Sequence, residues 1–323
     1  MQFDAELLLL AMAPVFLACI SWEAWHLHRT RPTEHLYSWR DTACNAALAL
    51  LQQAADKLAW LFVLPVYAYV YTHWRLFTWQ AGWLSFLLLF VAQDLLYYVF
   101  HRCSHRVRWL WAAHVVHHSS ERLNFSTAFR QSLMYPVAGM WLFWIPLALL
   151  GFPPAQIVAI VLINLGFQFF VHTQTVGRLG WLEYLFNTPS IHRVHHARNR
   201  AYIDRNYAGV LVIWDRLFGS YVDEDPLEAP VYGIVEPLHT YNPLKATFHE
   251  WHAMVRDVIR MPGWRDKLHA VFGPPEWPGL WRQRHALPGA TGATPDAIKS
   301  AAPNAPENPM AAFETPRGPH QSL

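Results

Sequence analysis

HRCSH at 101–105, HVVHH at 114–118 and HRVHH at 192–196 place eight of the chain's 19 histidines in three five-residue windows. On a helix, residues four apart stack on one face. His101 and His105 are therefore expected to aim at one point, and His114, His117 and His118, at i, i+3 and i+4, to do the same; His192, His195 and His196 repeat that spacing. Neutral imidazole is the commonest protein ligand for transition metals. Eight convergent imidazoles exceed what one ion can take, so the count predicts two. His172, which closes an apolar segment in FFVHTQ, is a ninth candidate ligand.

The setting of these boxes is greasy. Of the 323 residues 53% are hydrophobic and 15% charged, against ~25% charged in ordinary soluble domains. Apolar blocks at 5–26, 43–72, 78–100, 134–151 and 153–172 each come near the ~20 residues that cross a ~30 Å hydrocarbon core. They predict an all-α, polytopic membrane bundle of about five spans. The second is the most polar, with Gln52, Gln53, Asp56 and Lys57 in its first half, and GFPP at 151–154 folds the last two into a tight hairpin. The opening MQFDAELLLL lacks a basic leader and is expected to be a retained first span.

Arginine placement predicts orientation. Arg29, Arg31 and Arg40 follow the first span, Arg75 alone the second, and Arg102, Arg106 and Arg108 the third, so the first and third landings read as cytoplasmic. This multi-pass topology puts all nine histidines at the cytoplasmic interface. Beyond it, 207–219 is too short to span, and 244–270 reads as an amphipathic helix broken at MPGW. Residues 1–285 are taken as one membrane-embedded domain, and the Ala/Pro-rich 286–323 as a disordered tail. The net charge of +2 with no long basic run excludes a nucleic-acid partner. Cys19, Cys44 and Cys103 have the spacing of neither a disulfide framework nor a zinc knuckle and read as free thiols.

Imidazole accepts iron, zinc and copper alike, so ligand type does not settle the metal. A two-metal site at the inner end of apolar helices suits redox iron meeting a lipid chain. A zinc hydrolase would need a carboxylate base and a polar substrate, and HExxH is absent. Ligating histidines usually donate their other N–H to a carboxylate or carbonyl. Asp94, seven residues before His101, and Asp204, Asn206 and Asp215 after the third box are the candidates for such outer partners. No catalytic side chain beyond the metal site is expected.

HRxxH, then HxxHH, a helical hairpin and a second HxxHH resemble the fatty acid hydroxylase and sterol desaturase superfamily of membrane non-haem di-iron oxidases. WAAHVVHHSSERLNFSTAFRQS at 111–132, FNTPSIHRVHHARNRAYIDRNYAGVLVIWDRLFGSY at 186–221 and VYGIVEPLHTYNPLKATFHE at 231–250 are similar to its ether-cleaving branch. The resemblance implies iron ligation by His101, His105, His114, His117, His118, His192, His195 and His196. His172 sits where the family also keeps a histidine, often before Thr-Glu; here Thr173 and Gln174 follow.

The resemblance further implies two iron ions, which zinc can replace on purification, O2, and an external reductant. That reductant is tetrahydrobiopterin in animal ether-cleaving members and a cytochrome b5 or ferredoxin-type donor in other branches. The implied substrate is a lipid taken from the bilayer. Hydroxylation beside the ether oxygen of an alkylglycerol would give a hemiacetal that collapses to aldehyde and glycerol. A sterol, carotenoid or fatty acyl hydroxylase or desaturase would use the same site. A haem- or metal-binding membrane protein without catalysis is the reading from another class.

Overall fold

The computed structural model describes residues 5–285; the expected tail from 286 lies outside them. Every regular element among these residues is helical, and the only pairings of extended backbone are two isolated bridges, Phe186 with Leu211 and Ala197 with Tyr232. Among the described residues, 5–277 belong to one compact unit, and 278–285, the remainder of helix α12 (Trp277–His285), fall outside it.

Three long helices open the chain: α1 (Ala5–Thr30), α2 (Trp39–Trp74) and α3 (Trp83–Arg106). Helices α2 and α3 are long and apolar enough to cross a bilayer, and only 17% and 33% of their most apolar windows are buried inside the protein. Leu50, Leu58 and Leu61 on α2 and Leu84 on α3 stand exposed. A core helix of a soluble protein would hide these side chains, because exposed apolar area costs roughly 25 cal/mol per Å² in water.

The segment expected as one span over 134–151 is broken. It runs as α5 (Tyr135–Ala138), a 3-10 turn over Met140–Trp144 and α6 (Ile145–Leu149). Gly139, with φ +88, ends α5, and Pro136 and Pro146 each sit in the first turn of a short helix, where a missing N–H costs nothing. Gly151 closes the piece at φ +95, and any Cβ there would lie 2.0 Å from the Phe77 carbonyl oxygen. Helix α7 (Pro154–Phe169) returns, and its 16 residues reach only about 24 Å.

Side-chain and backbone bonds replace the missing helical ladder: Tyr67 Oη donates to Trp141 O at 2.6 Å and Trp79 Nε1 to Leu150 O at 2.7 Å. The apolar core lies here, with Tyr67, Phe100, Leu147, Phe152, Ile157 and Ile160 packed between α2, α3, α6 and α7.

The remaining helices are α4 (Arg108–His118), α8 (Pro189–His195), α9 (Ile213–Leu217), α10 (Pro243–Arg260) and α11 (Trp264–Phe272). Only the end of the 207–219 stretch is helical, as α9. The 244–270 stretch is α10 and α11, broken at Met261–Gly263 as its proline and glycine foretell. Asn242 caps α10 by accepting from the N–H groups of Leu244 and Lys245.

Candidate metal centre

Four elements converge on one buried point. The last turns of α3 carry His101 and His105. Val107, in extended conformation, turns the chain directly into α4, which carries His114, His117 and His118. His172 follows the end of α7, and α8, started by Pro189, brings His192, His195 and His196. All nine are buried, the most accessible being His105 at 8%.

The nine divide into two groups able to hold a metal ion. His101, His105, His114, His118 and His195 form one, and His117, His172, His192 and His196 the other. The division cuts through both HxxHH boxes. Residues four apart stay together, as in His114 with His118 and His192 with His196, because they share a helix face. The histidine adjacent to the last of each trio is turned about 100° away. It joins the opposite group, so the boxes do not each aim at a single point.

Within the groups the Nε2 atoms crowd together. His101 and His114 are 3.0 Å apart, His114 and His118 3.2 Å, His117 and His172 3.2 Å, His172 and His192 3.0 Å, and His192 and His196 3.0 Å. Nitrogens bound ~2.0–2.1 Å from one ion at adjacent positions sit about 3.0–3.4 Å from each other.

The Nδ1 atoms explain which way the lone pairs point. His101 Nδ1–H donates to Tyr207 O at 2.8 Å, His117 to Arg130 O at 3.2 Å, His172 to Gln168 O at 2.6 Å and His195 to Arg205 O at 2.9 Å. A neutral ring whose proton is held at Nδ1 presents only a lone pair at Nε2. His117 and His172 thus aim two lone pairs at each other, while His105 and His195 keep buried Nε2 atoms with no hydrogen-bond partner. A cation in each group would satisfy all of them, so the residues fit two bound metal ions.

Protonation agrees. Burial, with neighbouring imidazoles adding to it, holds His114, His118 and His195 and, in the other group, His117, His192 and His196 well below the usual imidazole range. They are neutral, the form that ligates.

The four outer candidates differ in what they touch. Asp204, at φ +61, faces His105 Nδ1 at 3.5 Å and Arg106 Nε at 3.5 Å. Burial opposes its ionisation, but His105 and Arg106 outweigh it and keep the carboxyl below its ordinary value. Asp215 accepts from the N–H groups of Tyr207 and Ala208 and from Ser220, which fixes the carbonyl that orients His101. Asp94 accepts from Val210 N, Leu211 N, Trp214 Nε1 and Asn164 Nδ2. Asn206 holds Ile191 O and both backbone groups of Val222. Neither Asp94 nor Asn206 bonds a histidine; both pin the 206–215 segment against α3 and α8.

Sequence reasoning missed two contributors. Tyr135 Oη lies 2.9 Å from His114 Nδ1. Glu23, fully buried on α1, binds Tyr37, Phe125 N and Thr173 Oγ1, tying the first helix to the residue after His172. An acid inside an apolar run was the available signal for Glu23; nothing marks Tyr135.

Residues 86–220 match the fatty acid hydroxylase family model, a span that holds all nine histidines. Among characterised relatives, alkylglycerol monooxygenase of Homo sapiens is 43% identical over 216 residues, 66% of this chain and 47% of that protein. The Caenorhabditis elegans alkylglycerol monooxygenase is 35% identical over 259 residues, 76% of this chain and 51% of its own length. Ornithine lipid hydroxylase OlsE of Rhizobium tropici is 35% identical over 124 residues, 38% of each chain. The chain spans about half the length of the alkylglycerol monooxygenases it matches. No solved structure matches it.

Proposed function

We propose that this protein is a membrane-embedded, O2-dependent lipid monooxygenase that holds one iron ion in each histidine group and oxidises alkylglycerols beside the ether oxygen. The observation that carries the metal reading is the facing pair of lone pairs on His117 and His172. The ether reading rests on the similarity to alkylglycerol monooxygenases.

Iron bound there would supply O2 activation and oxidation of the C–H bond. The chain's own part is positional. Carbonyls of Tyr207, Arg130, Gln168 and Arg205 hold four imidazoles in one tautomer and orientation, and Asp204 does so for His105. Burial of all nine excludes bulk water.

The reaction balances as follows. The C–H next to the ether oxygen becomes C–OH with one atom of O2, and the other atom leaves as water using two electrons and two protons from the reductant. The hemiacetal then breaks its C–O bond, its hydroxyl proton passing to the departing glycerol oxygen. A tetrahydropterin, or a ferredoxin or cytochrome b5-type protein, is the proposed donor.

Helices α1, α2 and α3 are proposed to cross the bilayer. The broken 135–169 hairpin is proposed to enter and return to its own side, and the arginine asymmetry supports a cytoplasmic face for all nine histidines. That hairpin stands in the place of the fourth and fifth of the roughly five expected spans, as two short limbs instead of two full crossings.

Membranes carrying the protein, supplied with O2 and a tetrahydropterin or reduced ferredoxin, should convert a long-chain alkylglycerol to the fatty aldehyde, and His117→Ala membranes should not. If alkylglycerol is unchanged with every donor while a sterol or acyl chain gains oxygen in a His117-dependent way, the ether assignment is wrong. Similarity to the ornithine lipid hydroxylase makes acyl-chain hydroxylation the reading to which that result would point.

A further inference from the structure

Helices α10 and α11 carry apolar side chains that the protein does not cover. On α10, Leu244, Phe248, Val255 and Ile259 fall on one face and are 42% to 73% exposed. The opposite face is buried, with Ala246, Thr247, Met254 and Asp257 directed inward. On α11, Trp264, Leu268 and Phe272 repeat every four residues and are 48% to 67% exposed.

The charges that this hairpin exposes are predominantly positive. Of its three acids, Glu250 and Asp257 turn inward to Arg108, at 2.6 and 2.9 Å, and Asp266 is half-buried in the first turn of α11. Lys245, Arg256, Arg260 and Arg265 lie on exposed positions beside the apolar stripe. An apolar face flanked by cations matches an anionic bilayer surface.

The attachment point fixes the depth. Arg108 is two residues past the end of α3, and besides the two carboxylates its Nη1 donates to Ala270 O and its backbone N–H to Gly273 O. The hairpin is therefore clamped where α3 ends. Helix α3 has 24 residues, about 36 Å long, so its end lies in the headgroup layer of a ~30 Å core. Trp109, beside Arg108, packs edge-on against Trp251 of α10 at 4.8 Å.

We propose that α10 and α11 lie in the anionic headgroup layer of the membrane that α3 crosses. Their apolar stripe is immersed and Arg108 transmits their position to α4 and its three histidines. This rests on the membrane placement above and is independent of the lipid oxidised.

The test uses the full chain reconstituted in bilayer discs of phosphatidylcholine with 30% phosphatidylglycerol, with Cys19, Cys44 and Cys103 replaced by alanine. Single spin labels are placed at Phe248, Val255, Leu268, Arg256 and, as a control on α2, Leu61, and metal content is checked to show that each variant folds. Collision with a water-soluble nickel complex should be about fivefold or more weaker at 248, 255 and 268 than at 256, with collision with O2 correspondingly stronger. Replacing Lys245, Arg256 and Arg260 by glutamine should lessen that protection at 248, as should discs lacking phosphatidylglycerol.

Nickel access at 248, 255 and 268 equal to that at 256, with Leu61 shielded, would overturn the inference and leave the face to a soluble partner. Dipolar coupling between identical labels at 255 within about 20 Å would overturn it in favour of a second copy. Nickel access at Leu61 as well would instead defeat the membrane placement itself.

Discussion

His117 and His172 face each other Nε2 to Nε2 at 3.2 Å, with both ring protons given to carbonyls on their far sides. Two lone pairs at that distance repel unless a cation lies between them. They come from elements 55 residues apart in sequence, so the fold assembles this contact against its own electrostatics, and a bound ion would relieve it.

Metal removal should therefore cost stability. A ligand bound only by the folded state adds about 2.7 kcal/mol at a hundredfold excess over its dissociation constant. Chelator-treated protein should unfold several degrees below the loaded protein, and restoring iron should reverse the loss. An unchanged Tm would contradict ligation by these groups.

Asp204→Asn removes the negative charge opposite His105 Nδ1 while keeping the shape. Loss of an outer partner of this kind typically costs about 10–100-fold in metal affinity or activity. Competition with a graded chelator should show the five-histidine group releasing its ion first in the variant. Release indistinguishable from wild type would show that Asp204 serves only Arg106.

Arg130 is 1% exposed and bonds Asp41, Asn45, Val116 O and Ser119, joining the start of α2 to the segment after the second box. Arg130→Met leaves Asp41 buried without its cation, at a cost of about 3–5 kcal/mol. Arg130→Met with Asp41→Asn should recover part of it. Thermal unfolding of the single and double variants decides the matter, and equal stability of the single variant and wild type would exclude a structural ion pair.

Gly209 is where the 207–212 segment meets α3 and α7. A Cβ there would stand 2.7 Å from Tyr97 Cδ1 and 2.9 Å from Asn164 Oδ1, and overpacking of this kind costs typically about 1–3 kcal/mol. Gly209→Ala should lower Tm and loosen the Tyr207 carbonyl that orients His101. A fully stable variant would mean that the segment can move away freely.

The histidines were legible because helical spacing is a local property: i, i+4 pairs share a face whatever surrounds them. Their partition was not, since sending His117 and His195 to opposite groups depends on how α4 and α8 cross. The carbonyls of Tyr207, Arg130, Gln168 and Arg205 leave no trace in side-chain identity, so the sequence points to acids instead. Of these Asp204 reaches a histidine, and Asp94 serves the backbone. The long helices follow from apolar run length, whereas the 134–151 segment has enough apolar residues for a span and too many prolines and glycines to stay helical.

The metal-to-protein ratio of the full chain, purified from iron-supplemented cells, tests the two-ion centre most directly. Two ions per folded chain are expected. His117→Ala with His196→Ala should bring the ratio to one, because the five-histidine group is left whole. One ion or none in folded wild type, or two retained in the double variant, would contradict a centre built from two histidine groups.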